Sequence, residues 1–511
     1  MSLFPLAVLV SSFVAALVLT PIVRSIAIAK GIIDKPDGRR KLHKRFVARA
    51  GGTAVIGAVF LVGAIGVAFY PMADVTPAQF WQFGSLLIAM LGIWALGMAD
   101  DIWTLRGRQK LVGQIALSAV LAFSGVQMAN ISVFGFTVSL GVLAIPATIF
   151  WLVATTNSLN LIDGSDGVCS SLGAIICGAL GILAFRNGDI ADCVVAFAMC
   201  GALLGFLVFN FPPASIFLGD SGSLLIGFVT GALAIRCSLE GATAVMLAIL
   251  SLPLMDSTMA IIRRRLTGRS IYATDRAHLH HSLRGKGFSD RGLLFVVSGL
   301  AMFTAVGAVI GAIYDQEWFA MAAVLGMFLL LVTTKAFGYS EMALIARRGK
   351  CFALSFLQRA KAKELSRAKA VRLQGTREWE VVWDDLIHFA ESEEYSKLNL
   401  DLNVPWLEEG FHGEWQKGVQ PDKGERWTVT MPIFGDGRVA GRIEVVAAAR
   451  DDQAHSSLAR LTKVIDRLHP QISNILSEGT LNPPVTLVAQ DYELNDPGVI
   501  EEEKLPEVSV G

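Results

Sequence analysis

The stretch FWQFGSLLIAMLGIWALGMADDIWTL (residues 80–105) decides the fold. It is an apolar run of bilayer-crossing length that ends on two adjacent carboxylates, Asp100 and Asp101. One acid at a helix end reads as a cap; two at the edge of a membrane span require another explanation. Comparable runs of roughly 17–25 residues fill the chain up to about residue 338. Of the 511 residues, 53% are hydrophobic and 17% charged, and most of the charge lies after residue 340. The expected fold is an all-α polytopic membrane protein of about 11 transmembrane helices with a small C-terminal cytoplasmic α+β domain.

The spans centre near residues 13, 60, 91, 119, 146, 178, 200, 229, 251, 302 and 327. The first, beginning at Leu3, has no charged region before it and reads as a retained span, not a cleaved signal peptide. The loop after it carries nine cations: Arg24, Lys30, Lys35, Arg39, Arg40, Lys41, Lys44, Arg45 and Arg49. Arg106, Arg108 and Lys110 follow the third span, and Arg263 to Lys286 follow the ninth. The loops near 71–83, 129–137 and 314–318 hold no Lys or Arg. The positive-inside rule therefore puts the N-terminus outside and everything after the last span in the cytoplasm.

That topology gathers the remaining polar clusters on the cytoplasmic face, each at or near the end of a span. NSLNLIDGSDG (157–167) holds Asn157, Asn160, Asp163 and Asp166 at three-residue intervals, with Gly164 and Gly167 breaking a helix into a turn. NFPPASIFLGDSGSLLIG (210–227) begins with Asn210 and places Asp220, Ser221 and Ser223 at a helix start, where backbone can approach a phosphate or metal closely. DRAHLHHSL (275–283) combines Arg276 with His278, His280 and His281. It lacks structural-zinc spacing and reads as an anion clamp of imidazolium and guanidinium. In KLHKRFVARAGG (41–52), inside positive charge explains the cations but not His43. Ionisable groups at membrane depth are costly and mark function by default. WDDLIHF in the tail is a control: Asp384, Asp385 and His388 there read as a solvated helix face.

The net charge of zero gives no attraction to nucleic acid. Cys169, Cys177, Cys193, Cys200, Cys237 and Cys351 show no CxxC pair and read as packing residues. The NIS at 130–132 lies in too short a loop to count as a glycosylation site.

In order and spacing, Asp100–Asp101 with Lys110 and the three later motifs resemble the polyprenyl-phosphate N-acetylhexosamine-1-phosphate transferases (glycosyltransferase family 4) over roughly residues 1–340. GIIDKPDGRRKLH (31–43) resembles the family's first cytoplasmic loop, and Asp-Arg-x-His-x-His-His resembles the undecaprenyl-phosphate GlcNAc-1-phosphate transferase branch. That branch begins O-antigen, enterobacterial common antigen or teichoic acid linkage synthesis. The resemblance implies transfer of N-acetylhexosamine-1-phosphate, GlcNAc-1-phosphate first, from a UDP-sugar to undecaprenyl phosphate in the inner membrane, with release of UMP. It implies Mg²⁺, replaceable by Mn²⁺, with Asp220 as leading ligand and Asp163 beside it. Asp163 and Asp166 would serve metal or nucleotide, and Asn157, Asn160 and Asn210 the nucleotide end. Asp100 and Asp101 would face the acceptor phosphate, one as base or as covalent nucleophile. Lys110, Arg276, His43, His278, His280 and His281 would supply positive charge and substrate contacts. GalNAc, a modified bacillosamine-type sugar or MurNAc-pentapeptide are the alternative donors. A transporter is the alternative outside enzymes, against which the polar groups cluster on one face and not at the midplane.

The expected organisation is a membrane domain over 1–338, a basic helical linker over 339–375, an α+β domain over 376–486 and a disordered acidic tail over 487–511. The linker helix is expected to run to about residue 373. ERWTVTMPIF and VAGRIEVVA, flanking GDGR, read as a hairpin, and a helix is expected near 453–477 with Leu458, Leu461, Ile465 and Leu468 on one face. A homodimer, and a glycan-pathway protein partner for the tail domain, are both compatible with the sequence.

Overall fold

The computed structural model describes residues 3–34, 46–69, 76–237, 243–267, 277–343, 345–346, 366–374, 377–404, 407, 409–417, 421–422, 424–435, 438–449 and 453–477. His43, Arg276 and Cys351, most of the linker and the acidic tail lie outside these residues.

The first part is a helical bundle: α1 (Phe4–Ala29), α2 (Gly51–Phe69), α3 (Pro77–Trp103), α4 (Gly107–Phe123), α5 (Ala144–Ile162), α6 (Val168–Asn187), α7 (Ile190–Asn210), α8 (Asp220–Cys237), α9 (Thr243–Ile249), α10 (Ser251–Leu266), α11 (Leu279–Gly285), α12 (Asp290–Ile313) and α13 (Glu317–Thr333). All eleven expected centres fall on helices of this set. Seven helices among the described residues are long and apolar enough to cross a membrane, or eight if α9 and α10, bent by 78°, form one span. The expectation of eleven is thus not met by length and composition alone. Residues 51–65 of α2 and all of α13 are shorter apolar helices, and α4 has 17 residues with Arg108 and Lys110 near its start.

Helix boundaries follow local chemistry. Thr76 caps α3 in a reciprocal capping box with Gln79, and Pro77 occupies the first turn, where a missing N–H costs nothing. The helix ends when Thr104 turns left-handed at φ 53°. In α8, 83% of the apolar window is buried, against 22% in α1. α8 is therefore the central post, packed by α2, α3, α5 and α6, while α1 presents apolar side chains outward as a lipid-facing helix does.

Two glycines allow the starts of α2 and α8 and the end of α3 to meet. A Cβ on Gly97 of α3 would lie 2.4 Å from the Asp220 carbonyl, and one on Gly52 would lie 2.3 Å from the Gly222 nitrogen. A small sheet completes the junction. β1 (Ile33–Asp34) pairs antiparallel with β2 (Val47–Arg49), which pairs parallel with β5 (Ile216–Phe217) in the register Arg49↔Phe217. A hairpin, β3 (Asn130–Val133) and β4 (Phe136–Ser139), occupies the short loop before α5.

The C-terminal part is an α+β unit. Strands β6 (Ser366–Gln374), β7 (Lys397–Val404), β8 (Glu409–Lys417), β9 (Arg426–Gly435) and β10 (Arg438–Ala448) form one antiparallel sheet in the order β6-β8-β7-β10-β9. Leu398, Leu400, Leu402, Phe411, Trp415, Ile443 and Val445 are buried with α14 (Trp379–Ser392) and α15 (Gln453–Ser477). The alternate residues of β7, Lys397, Asn399, Asp401 and Asn403, are polar. The expected hairpin is β9–β10. On α15, Leu461 and Leu468 are buried and Leu458 and Ile465 pack beside them.

One expectation fails here. Residues 366–374 are a strand and not the end of a linker helix. The Lys/Arg/Ala composition favours helix locally, but pairing along β8 completes the sheet, and tertiary pairing overrides a weak local preference. The control behaves as expected: Asp384, Asp385 and His388 are exposed on α14. Cys169, Cys177, Cys193 and Cys200 are buried free thiols, as packing residues would be.

Candidate active site

Asp100 and Asp101 close α3 and point to different partners. Both oxygens of Asp101 accept from the start of α8: Asp220 N at 2.9 Å and Ser221 N at 3.0 Å. A carboxylate from a neighbouring helix thus caps the α8 N-terminus, where unpaired N–H groups favour negative charge. Asp100 accepts from Leu105 N at 2.6 Å and from Lys110 Nζ at 2.8 Å. One carboxylate therefore fixes the turn into α4, and its neighbour fixes α8.

Asp220 is the hub. Its Oδ1 accepts from Arg49 Nη2 at 3.0 Å and its Oδ2 from Lys110 Nζ at 2.9 Å. Arg49 Nε also reaches Asp101 Oδ1 at 2.9 Å. The planar guanidinium bridges Asp101 and Asp220 through two different nitrogens of its fork, as Lys110 bridges Asp100 and Asp220 through its single Nζ. Arg49 was hidden in sequence among nine inside cations. Only the β2–β5 pairing, which joins segments far apart in the chain, brings it to Asp220.

Asp163 follows α5 directly and caps it by donating its backbone N–H to the Asn160 carbonyl; its side chain makes no hydrogen bond or ion pair among the described residues. Burial first, then the carboxylates of Asp220, Asp101 and Asp166, push its carboxyl well above the ordinary range, with Arg49 pulling the other way. It therefore faces the same cluster. Asp166 accepts from Ala214 N at 2.9 Å and ties the loop after α5 to the loop before α8.

The three asparagine side chains are hydrogen-bonded within the protein. Asn160 donates to Ser223 Oγ at 2.9 Å, and Asn157 to Gln114 Oε1 at 2.7 Å. Asn210 is buried. Its oxygen accepts from Gly167 N and Ser170 Oγ, and its amide donates to the Ile216 carbonyl. Through these bonds it braces the loop after α5 against the loop before α8.

The histidine motif packs on the loop between α5 and α6, at Gly164. A Cβ on Gly164 would lie 2.5 Å from His280 Nε2. His280 lies between His278 and His281, parallel to the first and tilted by 39° against the second, with centroids 6.1 and 4.3 Å away. Burial first, then His281, His278 and Arg284, push its pKa well below the usual value. His280 is therefore a neutral imidazole near pH 7, and not the imidazolium expected. His278 Nδ1 lies 2.9 Å from Asp256 Oδ2, a partner that sequence inspection passed over.

The polar groups thus gather at helix ends: the end of α3, the residue after α5 and the first residue of α8. Among the described residues no three His, Cys, Asp or Glu side chains form a ready-made metal cage. The cluster instead offers carboxylate oxygens, the donor type of a hard cation such as Mg²⁺, which is bound by one or two carboxylates with substrate phosphates completing its shell. Asp100, Asp101, Asp163 and Asp220 outnumber Arg49 and Lys110, so the cluster holds more carboxylate oxygens than its own cations match.

The signature of glycosyl transferase family 4 matches residues 83–238, the stretch from α3 through α8. A protein of Bacillus subtilis (strain 168), named as a probable undecaprenyl-phosphate N-acetylglucosaminyl 1-phosphate transferase, is 34% identical over 306 residues, 58% of this chain and 82% of the relative. A decaprenyl-phosphate N-acetylglucosaminephosphotransferase of Mycobacterium tuberculosis (strain CDC 1551 / Oshkosh) is 32% identical over 319 residues, 56% of this chain and 77% of its own. A phospho-N-acetylmuramoyl-pentapeptide-transferase of Shouchella clausii (strain KSM-K16) is 29% identical over 325 residues, 60% of this chain and 96% of its own. With the Asp100–Asp101, Asp163 and Asp220 groups converging at one end of a multi-pass bundle, the chain belongs to glycosyl transferase family 4, among the polyprenyl-phosphate N-acetylhexosamine-1-phosphate transferases.

Proposed function

We propose that the protein transfers GlcNAc-1-phosphate from UDP-GlcNAc to undecaprenyl phosphate, releasing UMP, at the cytoplasmic face of the inner membrane. The observation that carries this is the Asp220 hub, held between Arg49 and Lys110 at the end of an apolar bundle. A lipid phosphate and a soluble nucleotide can meet only at such a surface. The eleven-span topology with an external N-terminus follows from the loop charges and accounts for every apolar helix.

The reaction brings two anions together, so charge neutralisation and positioning dominate, as in other phosphoryl transfers. Asp220 and Asp163 would hold Mg²⁺, with Mn²⁺ as a substitute. The ion would supply positive charge to the diphosphate oxygens. Lys110 and Arg49 supply further positive charge, and Asp100 and Asp101 aim them. A phosphate monoester has a second pKa of about 6, so the acceptor enters mostly as a dianion. It attacks the sugar-bearing phosphorus, the phosphorus–oxygen bond to UMP breaks, and neither Asp100 nor Asp101 has to remove a proton. His278 and the loop between α5 and α6, which holds Gly164 and Gly167, would line the approach of the donor.

Purified protein with Mg²⁺, undecaprenyl phosphate and a panel of UDP-sugars tests this. UMP should appear with UDP-GlcNAc. Turnover only with UDP-GalNAc, a bacillosamine-type donor or UDP-MurNAc-pentapeptide would reassign the sugar, and no UMP from any donor would overturn the proposal. First-step synthesis of a cell-surface glycan, including O-antigen, is the role that such a product serves.

A further inference from the structure

Asp256 lies in the apolar run that forms α10 and is wholly buried. A buried carboxylate is tolerated when its oxygens are satisfied. Both of its oxygens go to one short segment. Oδ2 lies 2.9 Å from His278 Nδ1, and Oδ1 accepts from Leu279 N at 2.8 Å. Seven residues on, two turns along the same helix face, Arg263 is also buried. It donates from Nη2 to the Ala277 carbonyl at 3.0 Å and pairs through Nη1 with the buried Glu341. α10 thus grips residues 277, 278 and 279 from one face. None of its gripping groups belongs to the cluster around Asp220. The grip continues toward that cluster through rings: His278 lies parallel to His280 at 5°, and His280 rests on Gly164, between Asp163 and Asp166.

We propose that Asp256 and Arg263 are positioning residues that mould the 277–279 segment so that His278 presents Nε2 to the donor substrate, and that Glu341 locks this mould to the segment leading into the C-terminal domain. A carboxylate only accepts, so the nitrogen facing Asp256 carries the proton. Nε2 is left as the nitrogen available for substrate. Arg263 can remain buried because Glu341 matches its charge. The C-terminal unit, which also meets the end of α10 where Arg442 donates to the Thr267 carbonyl at 3.4 Å, is thereby connected to the histidine loop.

This inference rests on the transferase function proposed above, and its test separates the two. The full-length protein is compared with Asp256→Asn, which keeps an oxygen for Leu279 N but turns an amide toward His278, with His278→Ala, with the double variant and with Arg263→Lys. Hydrogen–deuterium exchange across 277–285 is measured beside kcat/KM for UDP-GlcNAc. Asp256→Asn should speed exchange in that segment and lower kcat/KM by about 10-fold or more, since small misplacements of binding groups are costly. In the His278→Ala background the same change should alter the rate by less than about 2-fold, because coupled residues are not additive. Arg263→Lys, which keeps the charge pair but not the guanidinium fork, should loosen exchange as well. Unchanged exchange in both variants, or full multiplicative losses in the double variant, would overturn the positioning role. A wild-type protein inert with every UDP-sugar, but with the expected exchange pattern, would overturn the transferase function and leave the mould supported.

Discussion

At the scale of single residues, Asp220 has each of its oxygens matched to a different cation, Arg49 and Lys110. Asp220→Asn should lower turnover roughly 10²- to 10³-fold, the range seen when one preorganised electrostatic contact to the reacting groups is removed, while membrane insertion is retained. Asp384→Asn, on the exposed face of α14, should stay within about 2-fold, as isolated surface changes do. A rate assay on both variants checks the pair, and equal losses would contradict it. His280 gives a pH prediction. An unperturbed histidine has a pKa near 6.5, and burial holds this one well lower in the fold. Its contribution to stability is complete above about pH 6.5 and is lost as the pH falls toward the folded value, because only the unfolded chain takes up the proton. Asp163, raised by burial and neighbouring carboxylates, acts in the opposite sense. Comparison with His280→Gln isolates the histidine: the melting advantage of wild type should shrink from pH 7 to pH 5, and parallel curves would refute the neutral imidazole. The acids were legible because of where they sit at span ends, not because of their pairing. Arg49 was not legible, since inside positive charge explained it equally well. Asp256 did leave a signal, an acid within an apolar run, which is a marker of function by default.

At the scale of elements, the site exists because α3 and α2 approach the first turn of α8 backbone to backbone. Gly97→Ala would put a methyl group 2.4 Å from the Asp220 carbonyl. The helices must part, at about 1–3 kcal/mol for overpacking. The Asp101 bonds to Asp220 N and Ser221 N stretch with them. A lowered melting temperature together with reduced turnover is expected; a variant that melts like wild type and keeps full rate would contradict the close junction. The apolar runs of α1, α3, α6, α7 and α12 were readable because length and hydropathy suffice for lipid-facing helices. The break between α9 and α10 was not, because both halves are apolar and a 78° bend leaves no trace in composition. β6 is illegible for the reverse reason: its residues favour helix, and its strand identity comes from pairing with β8.

At the scale of the whole molecule, the bundle and the C-terminal α+β unit have separate cores, and the topology proposed from the loop charges puts the latter in the cytoplasm. An added protease should cleave the C-terminal unit in inside-out vesicles and spare it in intact spheroplasts; the opposite pattern would invert the topology. The central claim is that a phosphate travels with the sugar. UDP-GlcNAc labelled with ³²P at the β-phosphate, incubated with the purified protein, Mg²⁺ and undecaprenyl phosphate, follows that phosphate directly. The label should pass into the lipid fraction as unlabelled UMP is released. Label recovered in UDP, with unlabelled sugar on the lipid, would contradict it.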